Sequence, residues 1–131
     1  MDRTDEELRT KVHELELRDA EQRNAVSSYG IDLGKERTID LTFWAPDESK
    51  AKFLAQALVH NEMIPQFVLG PANRNEPNQR WVVRAPIRAS VNFVTTKENL
   101  ITFLLFADKY ECEYDGWGTA IVEAAQQPPN A

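Results

Sequence analysis

The most chemically distinctive stretch of the sequence is residues 113–118, Glu-Tyr-Asp-Gly-Trp-Gly, which combines two carboxylates, two large aromatics and two glycines. A separation of two residues places Glu113 and Asp115 on the same face of an extended strand, where one carboxyl group with a raised pKa could act as an acid and the other as a base. The sequence supplies no nucleophile–base pair, phosphate-binding loop or cofactor fingerprint to accompany them. We therefore predict neither catalytic residues nor a cofactor.

The aromatic residues of this stretch have two interpretations, which the sequence leaves open. Tyr114 and Trp117 either pin the last strand to the core, which is the more common role, or form part of an exposed partner surface, since Tyr and Trp are preferred interface anchors. Trp44 and Trp81 pose the same question. Stacking of these tryptophans on nucleic-acid bases is disfavoured, because the third strand lacks the basic, glycine-containing RNA-recognition signature.

Metal binding and thiol chemistry are also disfavoured. The chain has one cysteine, and its two histidines, His13 and His60, are far apart, so no zinc-type spacing occurs. Cys112 lies between Glu111 and Glu113, whose negative charges raise the pKa of a thiol, and we predict that it is inert. A lone cysteine suits a reducing compartment, so the predicted location is the cytoplasm.

The charge of the chain excludes some partners and favours others. Its 131 residues carry 15 Lys and Arg against 21 Asp and Glu, a net charge of −6, which opposes the phosphate neutralisation needed for nucleic-acid binding. Residues 72–90 carry a net charge of +3, which leaves −9 for the remainder. The acidic remainder either keeps the domain soluble or attracts an arginine-rich protein segment. No stretch approaches the roughly 20 apolar residues of a membrane span.

Residues 4–28 are predicted to form a helix, because four acid–base pairs fall at i,i+4 in the favourable order. The apolar stripe of this helix is interrupted by Asp19 and Gln22. We therefore expect a helix that is laid on the domain by its two ends, in preference to a coiled coil. Gly30 then ends the helix.

The remaining pattern predicts a βαββαβ core. Residues 38–45 alternate as a half-buried strand, and a helix follows from the capping residue Asp47 to about His60. Residues 66–69 and 80–87 are predicted to form a hairpin across an exposed connection at 70–79. Thr95 and Glu98 form a predicted capping box before an apolar helix, and residues 119–122 are the most strand-like part of the last segment.

This order predicts the α+β class and a ferredoxin-like arrangement, with two helices on one face of an antiparallel sheet. The predicted organisation is a charged helix at 1–30 packed on the domain, a ferredoxin-like domain at 31–123 and a disordered tail at 124–131. The open face of such a sheet either binds a partner or closes a homodimer.

Several segments resemble the bacterial regulator of ribonuclease E activity B family. The resemblance is carried by Glu113–Gly118, by Tyr29–Leu33, by Ile39–Trp44 and by Trp81–Ala85, and it covers roughly residues 24–122. The N-terminal helix is similar to the family only in character. Glu111 and Cys112 stand where the family tends to have two glycines.

The resemblance implies a cytoplasmic non-enzyme that binds ribonuclease E outside its catalytic part and lowers or redirects RNA cleavage. In this hypothesis acidic residues, chiefly Glu111, Glu113 and Asp115, steer a basic nuclease segment, and whichever of four aromatics are exposed supply the short-range contact. Those four are Trp44, Trp81, Tyr114 and Trp117. The alternative is a self-associating or general protein-interaction domain without a nuclease partner.

Overall fold

The computed structural model describes residues 4–60 and 81–120. In chain order the elements are α1 (Asp5–Ser28), β1 (Arg37–Ala45), α2 (Glu48–His60), β2 (Trp81–Ala89), α3 (Val91–Val94), α4 (Lys97–Lys109) and β3 (Glu113–Gly118). The three strands form an antiparallel sheet of order β2-β1-β3. The protein is therefore of the α+β class, as the sequence predicts.

The ferredoxin-like arrangement stays a prediction. The described strands have the order and directions that it requires, with the first strand between the two that follow later in the chain. The predicted strand at 66–69, the connection at 70–79 and the tail at 124–131 lie outside the described residues.

The core lies between one face of the sheet and helices α2 and α4. Alternate residues of β1 are buried, namely Ile39, Leu41, Phe43 and Ala45, and β2 adds Val83 and Ala85. They share one hydrophobic cluster with Leu54 and Leu58 of α2 and with Leu100 and Leu104 of α4. The alternation of buried and less buried side chains that the sequence predicts for this strand is confirmed, because every second side chain of β1 packs against the helices.

The opposite side is called here the outer sheet face. It carries Thr38, Asp40, Thr42 and Trp44 of β1 together with their cross-strand neighbours, because directly paired residues project to the same side of a sheet. Trp44 pairs with Val82 on β2 and with Glu113 on β3. The outer sheet face thus brings one tryptophan beside one exposed carboxylate.

Helix α1 begins and ends close to the predicted positions. The Thr4 hydroxyl accepts a hydrogen bond from the Glu7 amide at 3.1 Å, which caps the first turn, and Gly30 follows the last turn with a φ of +84°. The expectation that α1 docks only by its two ends is wrong. The polar residues that interrupt the apolar stripe have partners on β3, so α1 is buried along its middle as well. The buried residues of α1 are Val12, Leu15, Asp19 and Val26.

The cations of α1 mostly contact other elements and not the acids one turn away. Lys11 approaches Glu113 at 4.0 Å, Arg18 approaches Asp115 at 3.5 Å, and the Arg23 guanidinium donates to the Asn92 side chain at 2.9 Å. The basic residues of the charge pattern that predicted α1 therefore also hold this helix against β3 and α3.

Two boundaries differ from the sequence prediction. Helix α4 is capped by Thr96, whose hydroxyl accepts from the Asn99 amide at 3.2 Å, while Thr95 ends the short helix α3 and donates to the Val91 carbonyl. Strand β3 is Glu113–Gly118, and Thr119 and Ala120 lie beyond its end; residues 121 and 122, the rest of the segment predicted to be most strand-like, lie outside the described residues. The Thr119 hydroxyl instead donates to the Thr38 carbonyl at 2.8 Å, just beyond the strand.

Strand β3 contains a bulge at Asp115 and Gly116. Thr42 pairs with Gly116 and Phe43 with Tyr114, which leaves Asp115 as an additional residue. Gly116 has a φ of +105°, a conformation that glycine adopts without a steric penalty. The register of β3 against β1 therefore contains one β-bulge between Thr42 and Phe43.

Candidate functional site

The candidate site is centred on β3 and the turn before it. The three candidate carboxylates, Glu111, Glu113 and Asp115, are called here the acidic cluster. Glu111 and Glu113 are exposed and Asp115 is half-buried. The chain from α4 into β3 therefore presents all three at the surface, as the hypothesis of a partner patch requires.

Each carboxylate of the acidic cluster already has a cation from another element. Lys50 of α2 forms an ion pair with Glu111, Lys11 pairs with Glu113, and Arg18 pairs with Asp115. The second guanidinium nitrogen of Arg18 also donates to the Asp115 carbonyl at 3.2 Å. The cluster is thus a set of exposed ion pairs and not a field of bare negative charge.

The turn before β3 ends helix α4 with a Schellman motif. The Cys112 amide donates to the Ala107 carbonyl at 2.9 Å, and the Glu111 amide donates to the Asp108 carbonyl at 3.0 Å. Glu111 has a φ of +59°, the left-handed region that favours glycine. Glu111 therefore has a backbone conformation that is typical of glycine, at a position where the resembling family tends to have a glycine.

Cys112 is buried, with 6% of its surface exposed, and burial is the main cause that raises the pKa of its thiol to about 11. Asp47 raises this pKa further and Lys50 lowers it. The predicted direction is confirmed, but its main cause is burial and not the glutamates on either side. Few such thiols are ionised at neutral pH.

The structure places two of the four candidate aromatics in the core. Tyr114 is 1% exposed and lies between Phe43 and Phe103, with ring centroids 5.4 and 5.2 Å away. Trp117 is 5% exposed. These two residues anchor β3, so the aromatic contact in the partner hypothesis rests on the half-buried Trp44 and Trp81.

Trp44 and Trp81 occupy different sides of the sheet. Trp44 is on the outer sheet face, in register with Glu113. Trp81 pairs with the buried Ala45 and packs against the hydrophobic core. Of these two tryptophans, Trp44 is therefore the one that lies beside the acidic cluster.

The contact between α1 and β3 depends on two polar residues that only interrupt the apolar stripe in the sequence, Asp19 and Gln22. The Trp117 indole N–H donates to the Asp19 carboxylate at 3.0 Å, and the Gln22 side chain donates to the Trp117 carbonyl at 2.6 Å. Because β3 is an edge strand in the described sheet, Arg18 and Gln22 satisfy carbonyls that would otherwise lack a strand partner. The sequence did contain a sign of this contact. Polar residues at the positions of an apolar stripe become buried, and buried polar groups need hydrogen-bond partners.

Asp19 is the buried ionisable residue of this contact, at 6% exposure. Burial raises the pKa of its carboxyl group to about 6, against the lowering effects of the Trp117 hydrogen bond and of Arg18 and Arg23. Burial also raises the pKa of the neighbouring Tyr114 hydroxyl, and the charge of Asp19 adds to that effect. The α1–β3 contact therefore makes the Asp19 carboxyl group harder to ionise than it is in solvent.

Among the described residues, no three His, Cys, Asp or Glu side chains are grouped to hold a metal ion. In the same part of the chain, no helix is both long and apolar enough to cross a membrane.

The model of one protein family, regulator of ribonuclease activity B, matches residues 12–119 of the sequence. This match spans most of the 131 residues and every described strand. The chain belongs to the regulator of ribonuclease activity B family. The resemblance read from the sequence is thereby confirmed, and the family match begins in α1, earlier than the 24–122 that the motifs indicated. The family match contains Asp19, Gln22 and the whole acidic cluster. A comparison with curated proteins finds no match to this sequence.

Proposed function

We propose that this chain is a non-catalytic cytoplasmic protein that binds a basic segment of ribonuclease E, outside the nuclease's catalytic part, and inhibits or redirects RNA cleavage. Family membership supports a role in regulating ribonuclease activity. The observation that carries the proposed binding mode is the placement of Trp44 in register with Glu113, beside the acidic cluster. Carboxylates next to an aromatic side chain suit an arginine-rich segment, since the guanidinium both pairs with carboxylates and stacks on rings.

The ion pairs of the acidic cluster are compatible with partner binding. An exposed ion pair contributes only about 0–1 kcal/mol, because solvent screens it and both side chains lose freedom. The Lys50, Lys11 and Arg18 partners are thus exchangeable for the guanidinium groups of a bound segment. Arginine gains over lysine in this exchange because its donors can engage a carboxylate through two parallel bonds.

Direct binding of nucleic acid is not part of this proposal. The net charge of −6 opposes association with phosphates, even though Arg84 and Arg88 are exposed on β2. A ribonuclease regulator that avoids RNA acts by changing what the nuclease binds. Titration of the chain with labelled single-stranded RNA should therefore show no saturable binding at physiological salt.

Capture of ribonuclease E on the immobilised chain tests the proposal. The nuclease should be retained at low salt and released at about 0.5 M salt, where the Debye length falls to a few Å. The variant E111Q/E113Q/D115N removes the charge of the acidic cluster and should retain much less nuclease. The matched control E6Q/E14Q/E21Q removes three exposed charges of α1 and should behave like the parent chain. Equal retention by both variants would remove the acidic cluster from the proposal.

Self-association through the outer sheet face is a second candidate. This face carries exposed Arg84 and Arg88 on β2 and the acidic Asp40 and Glu113 on its other strands, so two copies can pair opposite charges. Light scattering over a range of concentrations distinguishes the candidates. A dimer that is lost in the R84E variant would favour self-association, and a monomer at high concentration would eliminate it.

A further inference from the structure

We propose that α1 is a proton-sensitive latch on β3, which tightens when Asp19 is protonated and loosens when Asp19 is ionised. Over 24 residues, the buried set of α1 contains three apolar side chains and one carboxyl group, with that carboxyl group near the middle. A helix docked by so few apolar residues is sensitive to the state of the one acid among them.

The surroundings of Asp19 determine the direction of the effect. On α1 itself the charged neighbours are Glu16, Arg18 and Arg23, and the two arginines are directed to Asp115 and Asn92. On β3 the neighbouring groups are the Trp117 indole and the Tyr114 hydroxyl, and the Asp115 carboxylate acts on Tyr114. The buried residues of α4 are apolar, namely Leu100, Phe103, Leu104 and Ala107.

The cost of removing the Asp19 carboxylate from water outweighs the favourable effects of the Trp117 hydrogen bond and of Arg18 and Arg23. Burial raises the pKa of Asp19 from 3.8 to about 6 in the docked state. A released α1 exposes Asp19 to solvent and returns its pKa towards the ordinary value. Docking is therefore strongest below about pH 4 and weakens as the pH rises through 6. At neutral pH the equilibrium constant for docking is lower than its value below pH 4 by up to about a hundredfold.

The latch is anchored at one end. The Arg23 guanidinium holds Asn92 at 2.9 Å, and the Asn92 amide donates to the Leu33 carbonyl at 2.9 Å, which ties the C-terminal part of α1 to the loop that follows it. Loosening therefore affects the part of α1 that precedes Arg23. This part carries Lys11 and Arg18, so loosening withdraws cations from Glu113 and Asp115. The latch itself does not depend on a nuclease partner.

The indole N–H of Trp117 reports directly on the latch. In proton–nitrogen NMR spectra of the full chain between pH 4.5 and 8, its resonance should shift with a midpoint near pH 6. The W117F variant identifies the resonance. The D19N variant should abolish the titration, whereas E21Q, which removes an exposed carboxylate from the same helix, should leave it unchanged.

Hydrogen exchange gives a second readout that needs no variant. Amides of residues 8–22 should lose up to about tenfold in protection between pH 5 and 7.5, after correction for intrinsic exchange, because a released helix is only marginally stable. Amides of β1 should keep their protection. The proposal is overturned if the Trp117 resonance does not titrate near pH 6 or if α1 and β1 respond to pH alike.

Discussion

The indole N–H of Trp117 donates to the carboxyl group of Asp19 at 3.0 Å, and this bond joins the last strand to the first helix across 98 positions of sequence. Both residues are nearly excluded from solvent. The contact therefore combines the anchoring of an edge strand with the burial of an ionisable group, and the stability of the fold depends on the charge of that group.

The first prediction concerns the D19N variant. Asparagine has nearly the same shape and still accepts from Trp117, but it has no charge to desolvate. Because Asp19 has its pKa raised to about 6 when folded, its contribution to stability is full below about pH 4 and is lost as the pH rises through 6. D19N should therefore match the parent near pH 4 and exceed it by about 2 kcal/mol at pH 7.5. Urea unfolding at both pH values measures this difference, and an advantage independent of pH would contradict it.

The second prediction concerns the donor. W117F removes the indole N–H and leaves a buried carboxylate without that hydrogen bond, at a cost of about 2–4 kcal/mol with the packing loss included. The cost should be greater at pH 7.5 than at pH 5, because the hydrogen bond stabilises the ionised carboxylate more than the neutral acid. Chemical unfolding of W117F and of the parent chain at the two pH values gives the comparison. Equal costs would show that Trp117 acts only through its volume.

The third prediction concerns the left-handed residue before β3. Replacing Glu111 by glycine removes about 1 kcal/mol of backbone strain and loses an exposed ion pair with Lys50 that contributes less than that. E111G should therefore be slightly more stable than the parent. The matched variant E111A loses the same ion pair but keeps the strain, so it should be less stable than E111G by about 1 kcal/mol. Thermal unfolding of the two variants decides, and equal stability would mean that the strain is relieved elsewhere.

The fourth prediction concerns the bulge of β3. G116A places a side chain at a φ of +105°, and the strain should cost about 1–3 kcal/mol even though the nearest side-chain atom, on Arg18, is 4.0 Å from the new methyl group. The control G118A lies two residues along the same strand, where an added methyl group meets no atom within 4 Å and φ lies outside the left-handed region. Unfolding measurements should show a much smaller loss for G118A. A comparable loss in both would argue against the bulge as the cause.

Local patterns in the sequence predicted local structure well. The alternation of β1, the charge pairs of α1 and the cap at Asp47 each depend on residues within about one turn or one strand. Lys50 donates its amide to Asp47 at 2.9 Å, as an N-cap requires. These elements follow from propensity and periodicity because their determinants lie within a few residues of one another.

The sequence did not predict features that depend on distant residues. Asp19 and Gln22 look like faults in an apolar stripe until Trp117, almost a hundred positions away, supplies their partner. Because of the bulge, β3 continues through Gly116 and Gly118, where residue propensities alone predict that a strand ends. For the candidate site, Glu111 and Glu113 are exposed, as the partner hypothesis requires, while the burial of Trp117 and Tyr114 was one of two alternatives that only tertiary packing could decide.

The most direct test of the central claim is the rate at which ribonuclease E cleaves a structured RNA in the presence of this chain. The rate should fall, or the cleavage pattern should change, as the parent chain or the E6Q/E14Q/E21Q control is added. The variant E111Q/E113Q/D115N should have a much weaker effect at the same concentration. An unchanged cleavage rate and pattern at saturating parent chain would show that this chain does not regulate ribonuclease E.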